Sequence, residues 1–529
     1  MIDGRGWLKS GCTLYILCPD CLTASQKNHI FARPLRRSPF ITGTLNKTEF
    51  IYRIVQDFGF VPTSDQQHAL QTFATFLADR HPQSVMVLRG SAGTGKTSLA
   101  GAMVRTLSRL GQKLTLMAPT GRAAKVFSLN SGMTAHTIHR RIYRERAYQG
   151  LDGQFNLNDN RYHDMLFIVD EASMASSQAA FGESAFGSGS LLDDLIKYVY
   201  SGENCRLLLI GDKAQLPPVG EAEAPALAGD VLTGYGLRVY QCDLNEVLRQ
   251  SGDSGILYNA TIIRQMITHD EATALPRIRF QGFADVVMVP GDELIESLAS
   301  SYAQVGLDET LVVTRSNKRA NIYNQGIRNM VLDREDQLCA GDMLMVVRNN
   351  YSVAALATAS PKGAGGGEAP PFTFLANGDR ARVQRARNFR ELYGFHFADV
   401  WLQFPDYDDY EVQTTLIMDS LTTDAPALTR EQSEQLYRQV MEDYADIPTK
   451  AERLRALRQD TYFNALQVKF AYAVTCHKAQ GGQWQHVYVD QGYMTDDMLT
   501  PDYIHWLYTA FTRATDKLFL VNWPANQCE

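Results

Sequence analysis

The chain has 529 residues, enough for three or four domains at about 100–200 residues each. Hydrophobic residues make up 45% and charged residues 21%, which excludes an intrinsically disordered chain, and no apolar run approaches the roughly 20 residues of a membrane span. The 51 basic and 58 acidic residues give a formal charge of −7, which argues against a wholly basic, histone-like nucleic-acid binder.

Residues 1–48 precede the part of the chain with clear periodicity. Cys18-Pro-Asp-Cys21 has the spacing of half a zinc knuckle, and Cys12 and His29 are further candidate ligands. The alternative is a loosely ordered extension, since no second pair of this spacing follows. The other cysteines stand singly, which favours a reducing, cytoplasmic location without a targeting segment; they are Cys205, Cys242, Cys339, Cys476 and Cys528.

Apolar runs followed by polar turns and helical patterns predict βα units of parallel sheets. The first group of such strands is expected at 85–88, 114–117, 165–169 and 207–210. A second group is expected at 311–314, 470–474, 487–489 and 518–521. Between them, 336–461 has short alternating strands and then a charged helical segment, so the sequence predicts two α/β units with an insertion in the second.

A glycine-rich loop follows the first predicted strand. Its sequence, Gly-Ser-Ala-Gly-Thr-Gly-Lys-Thr at 90–97, opens a helical pattern and matches the P-loop of nucleotide hydrolases. In such loops the backbone amides surround the phosphates, Lys96 reaches the β and γ phosphates, and the Thr97 hydroxyl faces Mg²⁺. The predicted nucleotide-binding residues are Gly90, Gly93, Thr94, Gly95, Lys96, Thr97 and Ser98.

Two carboxylates follow the third predicted strand. Asp170 is expected to hold Mg²⁺, and Glu171 to orient or deprotonate the attacking water, because open α/β sheets bind ligands at the carboxyl ends of their strands. Phosphoryl transfer to water also needs a sensor and mobile positive charge. The candidates are Gln215 as the γ-phosphate sensor, and Arg249 and Arg513 as arginine fingers.

Read in order, these segments resemble the motifs of superfamily 1 helicases, specifically the RecD-like and Dda-like members of the 5′-to-3′ branch. The resemblance covers about 50–525, and it implies that Gln66 reads adenine. Cys476 and Ala479 depart from the family's usual residues, and nothing resembles nuclease or relaxase chemistry. The matching segments are 63–66 (Q motif), 90–97 (motif I), 118–124 (Ia), 134–139, 170–173 (II), 211–218 (III), 248–250 (IV), 472–481 (V) and 508–514 (VI).

The resemblance implies an α/β fold of two RecA-like P-loop domains with parallel sheets. A hairpin insertion is expected in the first domain, and a small β-barrel with a helical insertion in the second. The expected units are an N-terminal extension at 1–48, the first RecA-like domain at 49–235 with the hairpin at 140–164, the second domain at 236–335 and 462–529, and its insertion at 336–461.

The function implied is ATP-dependent translocation 5′ to 3′ on single-stranded DNA with unwinding of the duplex, using ATP and Mg²⁺. The partners implied are single-stranded DNA and single-strand/duplex junctions, bound by a monomer away from membranes. An RNA or RNA–DNA helicase, or a DNA-stimulated ATPase clamp that does not unwind, stays open as an alternative. The implied DNA contacts are Pro119, Thr120, His139, Thr475 and His477; for either histidine, packing or capping is the competing reading.

The hairpin is expected to act as a separation pin, with a plain surface hairpin as the alternative. A basic stretch in the insertion suits phosphates or forms a solvated face; it comprises Arg380, Arg382, Arg385 and Arg387. The residues at 404–460 include thirteen acidic and six basic side chains, so this segment alone accounts for the negative charge of the chain. We expect that acidic segment to face away from the DNA.

Overall fold

A computed structural model describes residues 46–145, 155–178, 187–246, 254–269, 275–350 and 375–529. The candidate zinc ligands between residues 12 and 29 lie outside these ranges. The first unit is a six-stranded parallel sheet in the order β3-β2-β6-β7-β1-β8. Its strands are β1 (Ser84–Gly90), β2 (Lys113–Ala118), β3 (Ala135–Thr137), β6 (Met165–Val169), β7 (Arg206–Gly211) and β8 (Arg238–Leu244).

Both faces of this sheet are covered, because alternate side chains of β1 enter different hydrophobic clusters. Val85 and Val87 join one cluster, and Met86 and Leu88 join the other. A strand buried on both faces is apolar throughout, which is why the sequence pattern located it. The covering helices are Lys47–Phe58, Ser64–Ala78, Lys96–Arg109, Gly121–Ser131, Leu191–Ser201 and Gly229–Gly234, with a short helix at Ile138–Ile142.

The first sheet extends beyond the predicted domain boundary at residue 235. Strand β8 pairs with β1 from Ser84 opposite Arg238 to Gly90 opposite Leu244. The boundary prediction was wrong because β8 is an edge strand with mostly part-exposed residues, and it lacks the continuous apolar signal of its neighbours.

A two-stranded antiparallel hairpin interrupts the first domain. It consists of β4 (Tyr143–Glu145) and β5 (Phe155–Leu157), within the insertion predicted at 140–164. The residues between the two strands, 146–154, lie outside the described residues. The role of this hairpin as a separation pin stays a prediction.

The second unit is a five-stranded parallel sheet in the order β16-β10-β17-β18-β9. The sequence pattern did not identify β9, which is four residues long. The strands are β9 (Val286–Val289), β10 (Thr310–Thr314), β16 (Ala473–Thr475), β17 (Trp484–Asp490) and β18 (Ala514–Val521). The accompanying helices are Gly255–His269, Leu294–Gln304, Asn317–Gly326, Cys476–Ala479 and Pro501–Phe511, with one π-helical turn at Ile327–Val331.

A closed five-stranded barrel is inserted into the second domain. Its strands are β11 (Met343–Val346), β12 (Arg380–Leu392), β13 (Phe395–Phe404), β14 (Tyr410–Ile417) and β15 (Leu466–Phe470). The predicted strand at 470–474 is in fact the junction of β15 and β16, so the barrel runs past the expected boundary at 461. The helices Arg430–Asp443 and Lys450–Leu457 share a hydrophobic cluster with β13 and β14.

The barrel is fastened to the second sheet by a buried ion cluster. The Asp342 carboxylate is fully buried and lies 3.1 Å from the Arg328 guanidinium and 2.8 Å from that of Arg334. The Tyr472 hydroxyl donates to Asp342 at 2.8 Å and accepts the Met343 amide at 3.2 Å. The point where the chain enters the barrel is therefore bonded to the point where it leaves.

Two parallel sheets, a hairpin insertion and a small closed barrel with adjoining helices confirm the predicted fold class. Among the helices in the described ranges, none combines the length and apolar character needed to cross a bilayer.

Candidate nucleotide site and nucleic-acid interface

The loop after β1 adopts a conformation that requires its glycines. Gly93 and Gly95 have φ angles of 76° and 77°, in the left-handed region that glycine tolerates. A Cβ atom on Gly90 would lie 2.7 Å from the Thr94 hydroxyl oxygen and 3.1 Å from Cγ of Lys96. The loop therefore closes tightly onto the amino end of the next helix, the place where helices bind phosphate.

The Lys96 ammonium group lies over this loop. Its Nζ donates to the Ser91 carbonyl oxygen at 2.8 Å, as does the Thr94 hydroxyl. It also lies 3.9 Å from an Asp212 carboxylate oxygen. The Lys96 side chain is only 14% exposed, so this charge is largely removed from water and is available to exchange Asp212 for a phosphate.

Asp170 and Glu171 lie at the carboxyl end of β6 with unusual electrostatics. Burial, and then the charge of Glu171, raise the pKa of Asp170 to about 7, while Lys96 and a hydrogen bond with Thr97 oppose that shift. The Glu171 backbone has a φ of 52°, and its amide donates to Asp170 at 2.9 Å. Its Oε2 is buried with no hydrogen-bond partner.

This donor set fits a divalent cation. A cation would relieve the cost of ionising buried Asp170, and the adjacent Thr97 hydroxyl would supply a second oxygen ligand. Mg²⁺ typically binds one or two protein oxygens together with substrate phosphates, so a larger carboxylate cluster is unnecessary. Glu171 thus combines a backbone conformation that is uncommon for a residue with a side chain and a buried acceptor without a partner, as expected at a functional position.

Two glutamines predicted to contact the nucleotide have different environments. Gln215 is buried, and its Oε1 has no hydrogen-bond partner. Gln66 is also buried, but its amide donates to the Thr94 carbonyl and its oxygen accepts the Thr63 amide, each at 3.0 Å. Gln66 thus supports the P-loop from within the protein, and its contact with adenine stays a prediction.

The second domain closes over the P-loop through Tyr508. Its buried hydroxyl accepts the Ala92 amide at 2.9 Å and donates to Asp212 at 2.7 Å; burial raises the Tyr508 pKa well above its usual range. The loop after β7 is bonded to the second domain as well. Those bonds join the Leu216 amide to the Thr509 hydroxyl, Gln480 Nε2 to the Leu216 carbonyl, and His505 Nδ1 to the Ala214 carbonyl.

One of the two predicted arginine fingers is bonded within its own domain. Arg513 is 2% exposed and donates within its own domain, to the carbonyls of Thr509 and Gly482 and to the Thr512 hydroxyl, at 3.0–3.1 Å. Arg249 lies outside the described residues. Arg513 would have to break these bonds to reach a nucleotide.

Sequence reasoning missed Arg264, on the helix Gly255–His269. Its guanidinium crosses the cleft and donates to the Ser91 hydroxyl of the P-loop. This position lies outside the segments that were matched to helicase motifs in the sequence. The only signal in the sequence is its place next to the apolar face of a helix that follows motif IV.

Comparison with known proteins agrees with these motifs. A model described as "AAA domain" matches residues 62–282, and one described as "UvrD-like helicase C-terminal domain" matches 470–521. The ATP-dependent RecD2 DNA helicase of Deinococcus radiodurans is 31% identical over 49% of this chain and 31% of its own length. The ATP-dependent DNA helicase dda of Enterobacteria phage T4 is 27% identical over 49% of this chain and 56% of its own length.

In the matched regions the chain is similar to the superfamily 1B helicases RecD2 and Dda. It covers less than two thirds of either relative. A solved Pif1 helicase from Bacteroides, in complex with ADP-AlF3 and ssDNA, aligns with 88% of this chain and 94% of that chain, at 14% identity and a TM-score of 0.43.

The barrel covers the segment predicted as motif Ia. Pro119 and Thr120 precede the helix Gly121–Ser131 and are half-buried. A Cβ on Gly121 would lie 2.5 Å from Oδ1 of Asp379 and 2.9 Å from the Tyr407 hydroxyl, both from the barrel. The amino end of this helix is therefore occupied by a carboxylate.

That carboxylate, Asp379, is fully buried. Its Oδ2 accepts the Ala376 amide at 2.7 Å and the Tyr407 hydroxyl at 3.0 Å, whereas Oδ1 has no hydrogen-bond partner. Burial raises the pKa of Asp379 to about 7; these hydrogen bonds oppose the shift and Asp406 adds to it.

The other predicted DNA contacts differ in accessibility. His139 lies 5.6 Å from the Tyr143 ring, and burial lowers its pKa to about 4, so it is neutral near pH 7 and resembles the packed alternative. His477 is exposed, and Thr475 caps a short helix without a side-chain bond, which leaves its hydroxyl available.

The predicted basic stretch on β12 is not a continuous surface. Arg380 is 3% exposed and donates to the Asp308 carbonyl at 3.0 Å, and Arg382 pairs with the Asp308 side chain. Arg385 is exposed, with its guanidinium 5.6 Å from the Trp401 ring centre. The phosphate role predicted for Arg380 is therefore wrong, because that side chain faces inward.

Proposed function

We propose that this chain is an ATP-dependent DNA helicase that moves 5′ to 3′ on single-stranded DNA as a monomer. One observation carries the proposal. At Glu171 a buried, unpartnered carboxylate oxygen lies beside Asp170 and the P-loop, in a cleft that Tyr508 of the other domain closes. The matched relatives are DNA helicases, which supports DNA as the track.

In the proposed reaction Lys96 balances the β- and γ-phosphate charge of ATP. Thr97 and Asp170 would hold Mg²⁺, which neutralises phosphate charge when bound. Glu171 accepts a proton from water as the water oxygen bonds to the γ-phosphorus. The bond from that phosphorus to the β,γ-bridging oxygen breaks, and its electron pair leaves with ADP. Gln215, whose Oε1 has no hydrogen-bond partner, would act as the γ-phosphate sensor.

Movement would come from opening and closing of the cleft. The bonds between the loop after β7 and the second domain join the nucleotide site to motif V, through Gln480 and Leu216. Thr475 and His477 lie close by in sequence and are accessible, so nucleotide state can alter the grip on DNA. These two residues, with Pro119 and Thr120, are the proposed contacts to single-stranded DNA and to its junction with duplex.

The test is ATP hydrolysis with and without single-stranded DNA, followed by unwinding of duplexes bearing a 5′ DNA tail, a 3′ DNA tail or an RNA tail. Lys96→Ala should abolish hydrolysis, whereas Lys197→Ala, at an exposed position away from the cleft, should not. Opening of only the 3′-tailed duplex would overturn the direction. Stimulated hydrolysis with no unwinding would favour a clamp, and opening of only the RNA-tailed duplex would favour an RNA helicase.

A further inference from the structure

Arg264 faces the nucleotide site from the opposite domain. Its helix, Gly255–His269, is anchored by Ile256, Ala260 and Ile263, which are buried in the second-domain core. Asn259 adds bonds from its side-chain amide to the carbonyls of Gly255 and Arg279, at 2.8 and 2.9 Å. A well-anchored helix therefore fixes the backbone position of Arg264.

The end of that side chain is at the P-loop. Its Nη1 donates to the Ser91 hydroxyl, and the carbonyl of the same serine accepts the Lys96 ammonium. The positive charge of Arg264 also opposes the rise in the Tyr508 pKa, so the guanidinium lies near the hydroxyl that joins Ala92 to Asp212. Arg264 thus converges with Lys96 on one short stretch of loop.

The charge of Arg264 has no fixed counter-ion there. Among the residues that the structure describes, no carboxylate lies within 4.0 Å of its guanidinium. A half-buried guanidinium bonded to one neutral hydroxyl keeps hydrogen-bond donors to spare, and its planar fork suits two oxygens of a phosphate. Arg513 is engaged by three acceptors in its own domain.

We propose that Arg264 contacts the γ-phosphate of bound ATP and stabilises the charge that develops during hydrolysis. The inference rests on the proposed function. When the cleft closes on ATP, the guanidinium leaves the Ser91 hydroxyl for the phosphate oxygens, and it loses that partner once phosphate departs. Arg264 thereby makes closure of the second domain depend on the third phosphate.

The test compares Arg264→Ala and Arg264→Lys with Arg277→Ala, an exposed arginine in the same domain. Arginine fingers contribute about 10³–10⁵-fold to turnover, so we expect Arg264→Ala to lower kcat of DNA-stimulated hydrolysis by about 10³-fold. Lysine should restore only part of this, since it keeps the charge and loses the fork. Thermal melting shows whether each variant is folded. If the alanine variant is unfolded, the kcat of the lysine variant tests the inference instead.

A second measurement separates phosphate contact from structural support. Arg264→Ala should weaken binding of a non-hydrolysable ATP analogue by about tenfold or more while leaving ADP affinity unchanged, because a hydrogen bond between charged groups is lost only with the γ-phosphate. Equal losses for both nucleotides, or kcat within about twofold of Arg277→Ala, would overturn the inference. If the wild-type protein hydrolysed no ATP in the presence of DNA, the proposed function itself would fail.

Discussion

Replacement of Asp379 by asparagine should make the protein more stable at alkaline pH. The buried carboxyl has a pKa of about 7 in the fold, against about 3.9 for an unfolded aspartate. Between these values the folded chain holds a proton that the unfolded chain has lost, so stability falls as pH rises from about 3.9 to 7 and is constant above. At about 1.36 kcal/mol per pH unit the full loss is about 4 kcal/mol.

Asparagine resembles the protonated acid and does not titrate. Its oxygen can keep the bonds from the Ala376 amide and the Tyr407 hydroxyl. From pH 5 to pH 8 the wild type crosses about two pH units of the sensitive window, so the variant should gain about 3 kcal/mol on it. Urea unfolding at both pH values, followed by tryptophan fluorescence, measures this difference.

The control is Asp409→Asn, at an exposed position on the same side of the barrel. Its effect should be small and equal at both pH values. Titration of Asp170 occurs in both proteins and cancels from the comparison. A free-energy difference between Asp379→Asn and wild type that did not change with pH would refute the buried, protonated carboxyl.

Two further substitutions probe the attachments of the barrel. Asp342→Ala should lower the free energy of unfolding by about 3–5 kcal/mol, because it leaves buried guanidinium groups without a counter-charge. The control, Glu335→Ala at an exposed site, should change it little. Urea unfolding measures both, and equal effects would contradict a stabilising role of the ion cluster. Gly121→Ala should lower the free energy of unfolding by about 1–3 kcal/mol in the same assay, because its Cβ would overpack against Asp379. Gly234→Ala, where a Cβ meets open space, should have no such effect. An unchanged stability of Gly121→Ala would show that the barrel can shift to accept the extra methyl group.

The parts of the site that could be predicted are those whose chemistry is local in sequence. The P-loop and the carboxylates after β6 each occupy a few consecutive residues that directly follow a buried strand. Arg264 could not be found this way, because its contact with Ser91 depends on how two domains close. The same reason hides the Asp379 contact with Gly121, and it explains why Arg513 looked available although its own domain engages it.

In the fold as well, the elements with a local sequence signal were predictable and those without one were not. Strands buried on both faces, such as β1 and β7, are continuous apolar runs and were located. The edge strand β8 and the short strand β9 carry mixed patterns, since part of each faces water, and they were missed. The junction of β15 and β16 was read as one strand because both halves are apolar, although they belong to different sheets.

The Asp342 cluster limits how far the barrel can move relative to the second domain. Because it ties the entry and the exit of the barrel to each other, through Tyr472 and Met343, the barrel has no hinge of its own at that junction. These bonds hold the base of the barrel to the second domain, so a small rotation at the nucleotide cleft would become a larger displacement at the far end of the barrel. The contact of the barrel with the helix Gly121–Ser131 would then change as the cleft opens and closes.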